Sequence, residues 1–296
     1  MAEITFIGLG NMGLPMAKNL LKANHNVFGF DLVESQMKQF LEAGGQEEEN
    51  IPSALQKSGI VISMLPSGKH VKGIYLGDNG IINNAPDNLL LIDSSTIDVE
   101  SSREVEKEAN ERNLNMLDAP VSGGVTGAEA GTLTFMVGGD AEAFKKAKEF
   151  LDIMGGNVIH AGQAGNGQVA KIANNMLLAI SMIGTSEAFN LAENLGLDAS
   201  TFFDIASTAS GQCWSMTSYC PVPGPVPTSP ANNDYKPGFS AALMLKDLRL
   251  SQEASSFSNS QTPLGQKATS IYEDMEKNGH DNLDFSGVIK FLKNEL

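Results

Sequence analysis

At 296 residues, with 42% hydrophobic content and no biased tracts, the chain is long enough for about two globular domains and does not read as a disordered protein. Its net charge of −15, from 20 basic and 35 acidic residues, argues against nucleic acid or an anionic membrane as a main partner. The two cysteines, Cys213 and Cys220, form neither a disulfide framework nor a metal pattern, and they read as free thiols of a reducing compartment. No apolar run approaches the ~20 residues needed to span a bilayer. Met1-Ala2-Glu3-Ile4 leads straight into a strand pattern, so the expectation is a cytoplasmic protein, with the mitochondrial matrix open only if a presequence was removed.

In chain order, Ile4 to Ile7 reads as a strand, Leu14 to Ala23 as a helix, Asn26 to Phe30 as a strand and Ser35 to Ala43 as a helix. Further short apolar runs follow at Ile60 to Met64, Leu89 to Ile92, Leu114 to Leu117, Leu133 to Val137 and Val158 to Ile159. Strands alternating with helices predict an α/β, Rossmann-type, doubly wound and mainly parallel sheet. After about Gly162 the pattern changes. From Gly167 to about Asn194 apolar and small residues recur at helical spacing, and amphipathic segments follow at Ala199–Ala209, Ala241–Ser256, Leu264–Asn278 and Phe285–Leu292. The expected domains are therefore 1–162, a dinucleotide-binding Rossmann domain, and 163–296, an all-α domain joined through the long helix. That helix is expected between the domains or at a subunit interface, which hints at a homodimer or homotetramer. Residues 220–237 hold six of the twelve prolines and read as an ordered loop within the helical half rather than a linker.

Gly8-Leu9-Gly10-Asn11-Met12-Gly13 fits the pattern G-x-G-x-x-G. Among 30 glycines such a match means little by itself, but here it follows the first strand and opens the first helix. Gly8 permits the tight turn, Gly10 lets a pyrophosphate approach the backbone, and Gly13 lets helix and strand pack closely. The helix N-terminus adds N–H donors and partial positive charge. Asp31 closes the second strand, where a carboxylate accepts the adenosine ribose hydroxyls and repels a 2′-phosphate. NAD is thus the expected cofactor, the bland alternative being a solvated aspartate at a strand end. Met64-Leu65-Pro66 and Asp93-Ser94-Ser95-Thr96 end two further strands on the same side, although the second group also reads as a helix N-cap.

The substrate of an acidic protein with only three arginines, Arg103, Arg112 and Arg249, must meet other donors if it is an anion. Ser122-Gly123-Gly124 presents consecutive N–H groups suited to a carboxylate, or else forms a flexible loop. Lys171 and Asn175 share one face of the long helix. Burial there would lower the lysine pKa toward that of a general base, while a snorkelling lysine remains the plainer account. The four histidines, His25, His70, His160 and His280, make no metal-ligand pair at helical spacing, and no metal is expected.

At these residues the chain resembles the β-hydroxyacid dehydrogenase family. The matching stretches are Phe6-Ile-Gly-Leu-Gly-Asn-Met-Gly-Leu-Pro-Met-Ala17, Asp118-Ala-Pro-Val-Ser-Gly-Gly124, Gly167-Gln-Val-Ala-Lys-Ile-Ala-Asn-Asn175 and Lys246-Asp247. Cys213-Trp214-Ser215, residues 221–224 and Ala231-Asn232-Asn233 resemble its hydroxyisobutyrate branch. The resemblance implies that Lys171 is the catalytic lysine and that Asn175 orients the substrate. It places Ser122, Gly123, Gly124 and Trp214 around the substrate, and Leu65, Pro66, His70, Thr96 and Lys246 around NAD. His70 stands where asparagine is expected. The implied reaction is NAD-dependent oxidation of 3-hydroxyisobutyrate to methylmalonate semialdehyde, as in valine catabolism. The alternative is a family reductase acting on tartronate, glyoxylate or succinic semialdehyde.

Overall fold

The computed structural model describes residues 1–296. The chain divides into two compact units, Met1–Lys171 and Ile172–Leu296.

Unit one runs β1 (Glu3–Ile7), α1 (Gly13–Lys22), β2 (Asn26–Phe30), α2 (Glu34–Glu42), α3 (Ile51–Leu55), β3 (Ile60–Ser63), α4 (Gly68–Leu76), α5 (Ile81–Asn84), β4 (Leu90–Asp93), α6 (Val99–Glu111), β5 (Asn115–Asp118), β6 (Val121–Ser122), α7 (Gly124–Ala130), β7 (Leu133–Gly139), α8 (Ala141–Met154) and β8 (Gly155–Gly162). The first five strands are parallel in the order β2-β1-β3-β4-β5. Alternation along each strand builds two cores. Ile60, Ile62, Leu90, Ile92 and Leu117 face α1 and α8, whereas Val61, Leu91 and Met116 face α4, α5 and α6. A sheet buried on both faces explains why these strands read as continuous apolar runs.

The sequence leaves the direction of β7 unspecified. β7 runs antiparallel to β5 and β6 on one edge and parallel to β8 on the other. β8 is also longer than the apolar pair Val158–Ile159 suggests. Its start is masked by Gly155, where a Cβ would meet the Leu133 carbonyl oxygen at 2.7 Å, so only glycine admits the neighbouring strand.

The α6 helix carries a liability. Glu106 is 6% exposed, and its Oε2 has no hydrogen-bond partner. Burial, with repulsion from Asp118 added, pushes its carboxyl up to about 8, and Arg103 offsets this only in part. A folded-state pKa above the unfolded value means that the folded chain holds this proton more tightly. The resulting stability is complete below the unfolded pKa, which is near 4.5, and is lost as pH rises through about 8. Glu106→Gln should therefore melt near the wild-type temperature at pH 5 and clearly above it at pH 8.5. Equal melting temperatures at both pH values would show that Glu106 ionises without strain.

Helix α9 (Asn166–Asn194) spans the division between the units. Unit two continues with α10 (Ala199–Ala206), α11 (Trp214–Thr217), α12 (Ala241–Phe257), α13 (Pro263–Lys277) and α14 (Val288–Leu292), plus 3₁₀ turns at Pro230–Asn232 and Phe285–Gly287. It contains no strand. One core joins Ala179, Met182 and Ile183 of α9 to Leu245, Leu248, Ile271 and Met275. The proline-rich loop packs into a second core through Cys220, Val222, Ala231 and Tyr235, and the Tyr235 hydroxyl donates to the Pro221 carbonyl at 2.7 Å. No helix is long and apolar enough to cross a membrane.

Candidate active site

In unit one the sheet reverses its winding at β1, which lies between β2 and β3. In open α/β sheets this switch point opens a crevice at the carboxyl ends of the strands. The glycine loop lies there. Gly8 has φ +92°, and a Cβ on it would meet the Met64 carbonyl oxygen at 2.2 Å, so this turn and the loop after β3 press together. A Cβ on Gly13 would sit 1.9 Å from the Gly8 carbonyl oxygen, whereas one on Gly10 would meet nothing within 4 Å. The backbone at Gly10 thus faces open space. Leu9 is buried, Asn11 is exposed and Met12 is half-buried. No side chain caps α1; the Leu14 N–H already donates to the Gly10 carbonyl and Pro15 has no N–H, which leaves the Gly13 N–H as the first-turn donor for an anion.

Asp31 holds this loop from the side. Its Oδ2 accepts the Leu9 N–H at 2.6 Å and its Oδ1 accepts the Val33 N–H at 2.8 Å. Each oxygen keeps a second lone pair. Leu32 is fully exposed beside it, and no arginine occurs before Arg103.

The loops after β3 and β4 share one buried network. The Ser63 and Ser95 hydroxyls donate to Asp93 Oδ1 at 2.7 and 2.6 Å, Tyr75 Oη lies 2.9 Å from Ser63 Oγ, and Ser95 Oγ accepts the Leu65 N–H at 2.8 Å. Burial raises the Asp93 carboxyl to about 6, against the pull of the serine donors. Leu65 is half-buried and Pro66 exposed on this rim, and Thr96 is half-buried just beyond Ser95. His70 is exposed on α4 with Nδ1 2.8 Å from Ser67 Oγ, a partner within its own turn.

Ser122-Gly123-Gly124 forms a strand-to-helix junction. Ser122 ends β6 and Gly124 begins α7, with Gly123 at φ +135° and Gly124 at φ +62°. Ser122 is half-buried and Gly123 exposed. Four residues upstream, Asp118 accepts the Gly165 N–H and the Gln168 N–H, both at 2.8 Å, at the start of α9. The Gln168 side chain in turn donates to the Ser95 carbonyl at 2.8 Å and accepts the Ile97 N–H at 3.1 Å. Lys171, one turn along α9, is 7% exposed.

In unit two, Asn175 is 2% exposed. Its Nδ2 donates to Asp247 Oδ2 at 2.6 Å and its Oδ1 accepts from Asn174 at 3.0 Å. Lys246 Nζ lies 3.9 Å from Asp247 Oδ1; burial pushes its ammonium pKa down, and the Asp247 charge pulls it back. Trp214, half-exposed at the start of α11, stacks on Tyr219 with ring centroids 4.9 Å apart. Tyr219 Oη donates to Asp284 at 2.9 Å, and Asp284 also accepts the Gly238, Phe239 and Ser286 N–H groups.

Residues 3–162 match the family described as the NAD binding domain of 6-phosphogluconate dehydrogenase, and residues 165–292 match NAD-binding of NADP-dependent 3-hydroxyisobutyrate dehydrogenase. The chain belongs to the 3-hydroxyisobutyrate dehydrogenase family of NAD-dependent hydroxyacid dehydrogenases. A Pseudomonas aeruginosa relative named NAD-dependent L-serine dehydrogenase is 49% identical, covering 99% of this chain and 98% of its own. A P. aeruginosa 3-hydroxyisobutyrate dehydrogenase is 46% identical, with 99% of each chain covered. A Mycobacterium tuberculosis 3-hydroxyisobutyrate dehydrogenase solved with L-serine superposes with a TM-score of 0.95 at 48% identity, again over 99% of each chain.

The cofactor of this family fits unit one. The backbone at Gly10 faces open space that a side chain would enter, α1 offers an uncapped N-terminus, and Asp31 retains acceptor capacity beside the loop. The His160 ring stacks on Phe144 at 4.8 Å, with Nε2 2.9 Å from the Gly139 carbonyl oxygen. The sequence reading named Asp93 only as part of a strand end and gave no role to Gln168, Tyr219, Asp118 or Asp247. The readable signal was a carboxylate directly after a buried strand, as at Asp93 and Asp118, because a charge there needs partners.

Proposed function

We propose that this dehydrogenase oxidises the primary alcohol of a small acid of the form HOCH₂–CH(X)–COO⁻, with 3-hydroxyisobutyrate, where X is methyl, as the substrate. The observation that carries the reading is a buried lysine, Lys171, on the helix whose first turn is tied through Asp118 to the strand leading into Ser122-Gly123-Gly124. The Ser122 hydroxyl and the donors of this turn hold the carboxylate. Asn175, oriented by Asp247, holds the substrate hydroxyl. Lys171 Nζ accepts the hydroxyl proton as the C–H bond of the carbinol carbon breaks. NAD, when bound, takes up the hydride, leaving methylmalonate semialdehyde, NADH and one proton. The Leu65-Pro66 and Thr96 rim and His70 line the cofactor, and the family resemblance assigns Lys246 to it as well.

L-serine, where X is an ammonium group, is the second reading, and the relatives that carry its name favour it. Trp214, which the family resemblance assigns to the substrate, suits a methyl group by apolar contact and an ammonium by cation–π attraction, so this residue admits both. Steady-state kinetics with 3-hydroxyisobutyrate, L-serine, glycerate and 4-hydroxybutyrate decide the matter. The expected order puts 3-hydroxyisobutyrate first in kcat/KM. A higher value for L-serine would make serine oxidation the activity, and a higher value for either of the last two would favour the reductases of tartronate or succinic semialdehyde.

Cofactor choice has its own test. Asp31→Ser combined with Leu32→Arg removes the charge that repels a 2′-phosphate and adds a partner for it. The NADP-to-NAD ratio of kcat/KM should rise about fivefold or more. An unchanged ratio would remove Asp31 from the ribose.

A further inference from the structure

Gln168 is fully buried in the first turn of α9, where an apolar residue would cost nothing in exposed surface. Both ends of its amide are spent on backbone, Nε2 on the Ser95 carbonyl and Oε1 on the Ile97 N–H. This is the loop after β4, whose Ser95 hydroxyl also receives the Leu65 N–H from the loop after β3. The backbone N–H of the same residue goes elsewhere, to Asp118 at the end of β5. Glycines at 138 and 167 make room for that carboxylate, since a Cβ on either would come within 2.3 and 2.7 Å of its oxygens. One residue thus anchors α9 at two separate points, its main chain to β5 and its side chain to the loop after β4. A helix held at one point can rotate or slide, and a helix held at two points to adjacent strand ends has a fixed position along and around its axis.

We propose that Gln168 is a positioning residue for hydride transfer, setting the first turn of α9, and with it Lys171, against the cofactor-side loops after β3 and β4. The inference rests on the reading of Lys171 as the proton acceptor. Its consequence is kinetic, because displacing a reacting group by about 1 Å can cost up to about a hundredfold in rate without any lost contact to the ligand.

The test uses Gln168→Met, which keeps length and burial but loses both hydrogen bonds, and Gln168→Glu, which keeps the acceptor for Ile97. Substrate is whichever of 3-hydroxyisobutyrate and L-serine the enzyme prefers, with and without deuterium on the carbinol carbon. For Gln168→Met we expect kcat to fall about fivefold or more and the deuterium effect on kcat to grow. KM for NAD and the NADH dissociation constant, read by fluorescence, should stay within twofold. Gln168→Glu should recover activity relative to wild type as pH is lowered, because the protonated acid again donates to the Ser95 carbonyl. This variant also carries the test if the methionine variant fails to fold. A lowered melting temperature with unchanged kcat and isotope effect would reduce Gln168 to packing and overturn the proposal, as would loss of NADH binding in step with kcat. Lys171→Ala serves as the reference. If it keeps its turnover, the reading of Lys171 itself has failed; if it is inactive while both Gln168 variants behave as wild type, only the present inference has.

Discussion

Lys171→Ala should lower kcat by roughly two to four orders of magnitude while NADH still binds, the usual contribution of a positioned general acid or base. Lysines are rarely buried without a task, and this one is 7% exposed one turn beyond a doubly anchored helix start. The glycine loop is tied to Asp31 and to the loop after β3, so fluorescence titration with NADH should give a dissociation constant close to wild type. Lys171→Arg separates two roles that alanine confounds. Arginine keeps the positive charge but stays protonated at any accessible pH, so it steers an anion yet accepts no proton. If the lysine is the base, both variants are nearly inactive. Turnover above about a tenth of wild type in the alanine variant excludes Lys171 as the base, and activity in the arginine variant alone would assign it to charge.

Much of the frame was legible because the sheet is buried on both faces. Runs such as Ile60–Ile62 and Leu89–Ile92 are apolar throughout, and a glycine pattern at the end of β1 has few uses other than a dinucleotide. The direction of β7 was not legible, since a strand carries the same alternation whichever way its neighbour runs. The polar supports of the site were hidden for a different reason: their partners are distant in sequence. Asp118 meets amides 47 and 50 residues away, Gln168 reaches Ile97 across 71, and Asn175 finds Asp247 across 72. Periodicity reports which face of an element is apolar and carries no information on which buried polar group finds which. Lys171 and Asn175 stood out because they interrupt an apolar helix face, whereas Asp93 and Asp118 passed as ordinary strand ends. The Ser122-Gly123-Gly124 turn was ambiguous because Ser-Gly-Gly suits both a loop and a strand-to-helix junction. The left-handed backbone of Gly123 and Gly124 becomes evident only when β6 and α7 are seen on either side.

That junction sets the second large effect. In a chain of net charge −15 with three arginines, the proposed anionic substrate would be held by short-range donors rather than by a broad positive field. Ser122, Gly123 and Gly124 supply a hydroxyl and N–H groups within one turn, and the turn exists because Gly123 adopts φ +135°. A β-branched residue there is strained whatever space surrounds it, and a Cβ would also come within 3.1 Å of Leu133 Cδ2. Gly123→Val should therefore rotate the donors away from the carboxylate and raise KM for the hydroxy acid between about tenfold and a hundredfold, equivalent to roughly 1.4 to 2.7 kcal/mol. The added Cβ would face Leu133, which is fully buried in the core, so a melting curve showing that the variant folds is part of the test. NADH affinity should change less than threefold, because the glycine loop proposed to hold the pyrophosphate, Gly8 to Gly13, follows a different strand. A folded variant with unchanged KM for the acid would remove this turn from the substrate. Equal losses for acid and NADH would assign it to the cofactor instead, and would leave the carboxylate to be sought among the donors of unit two.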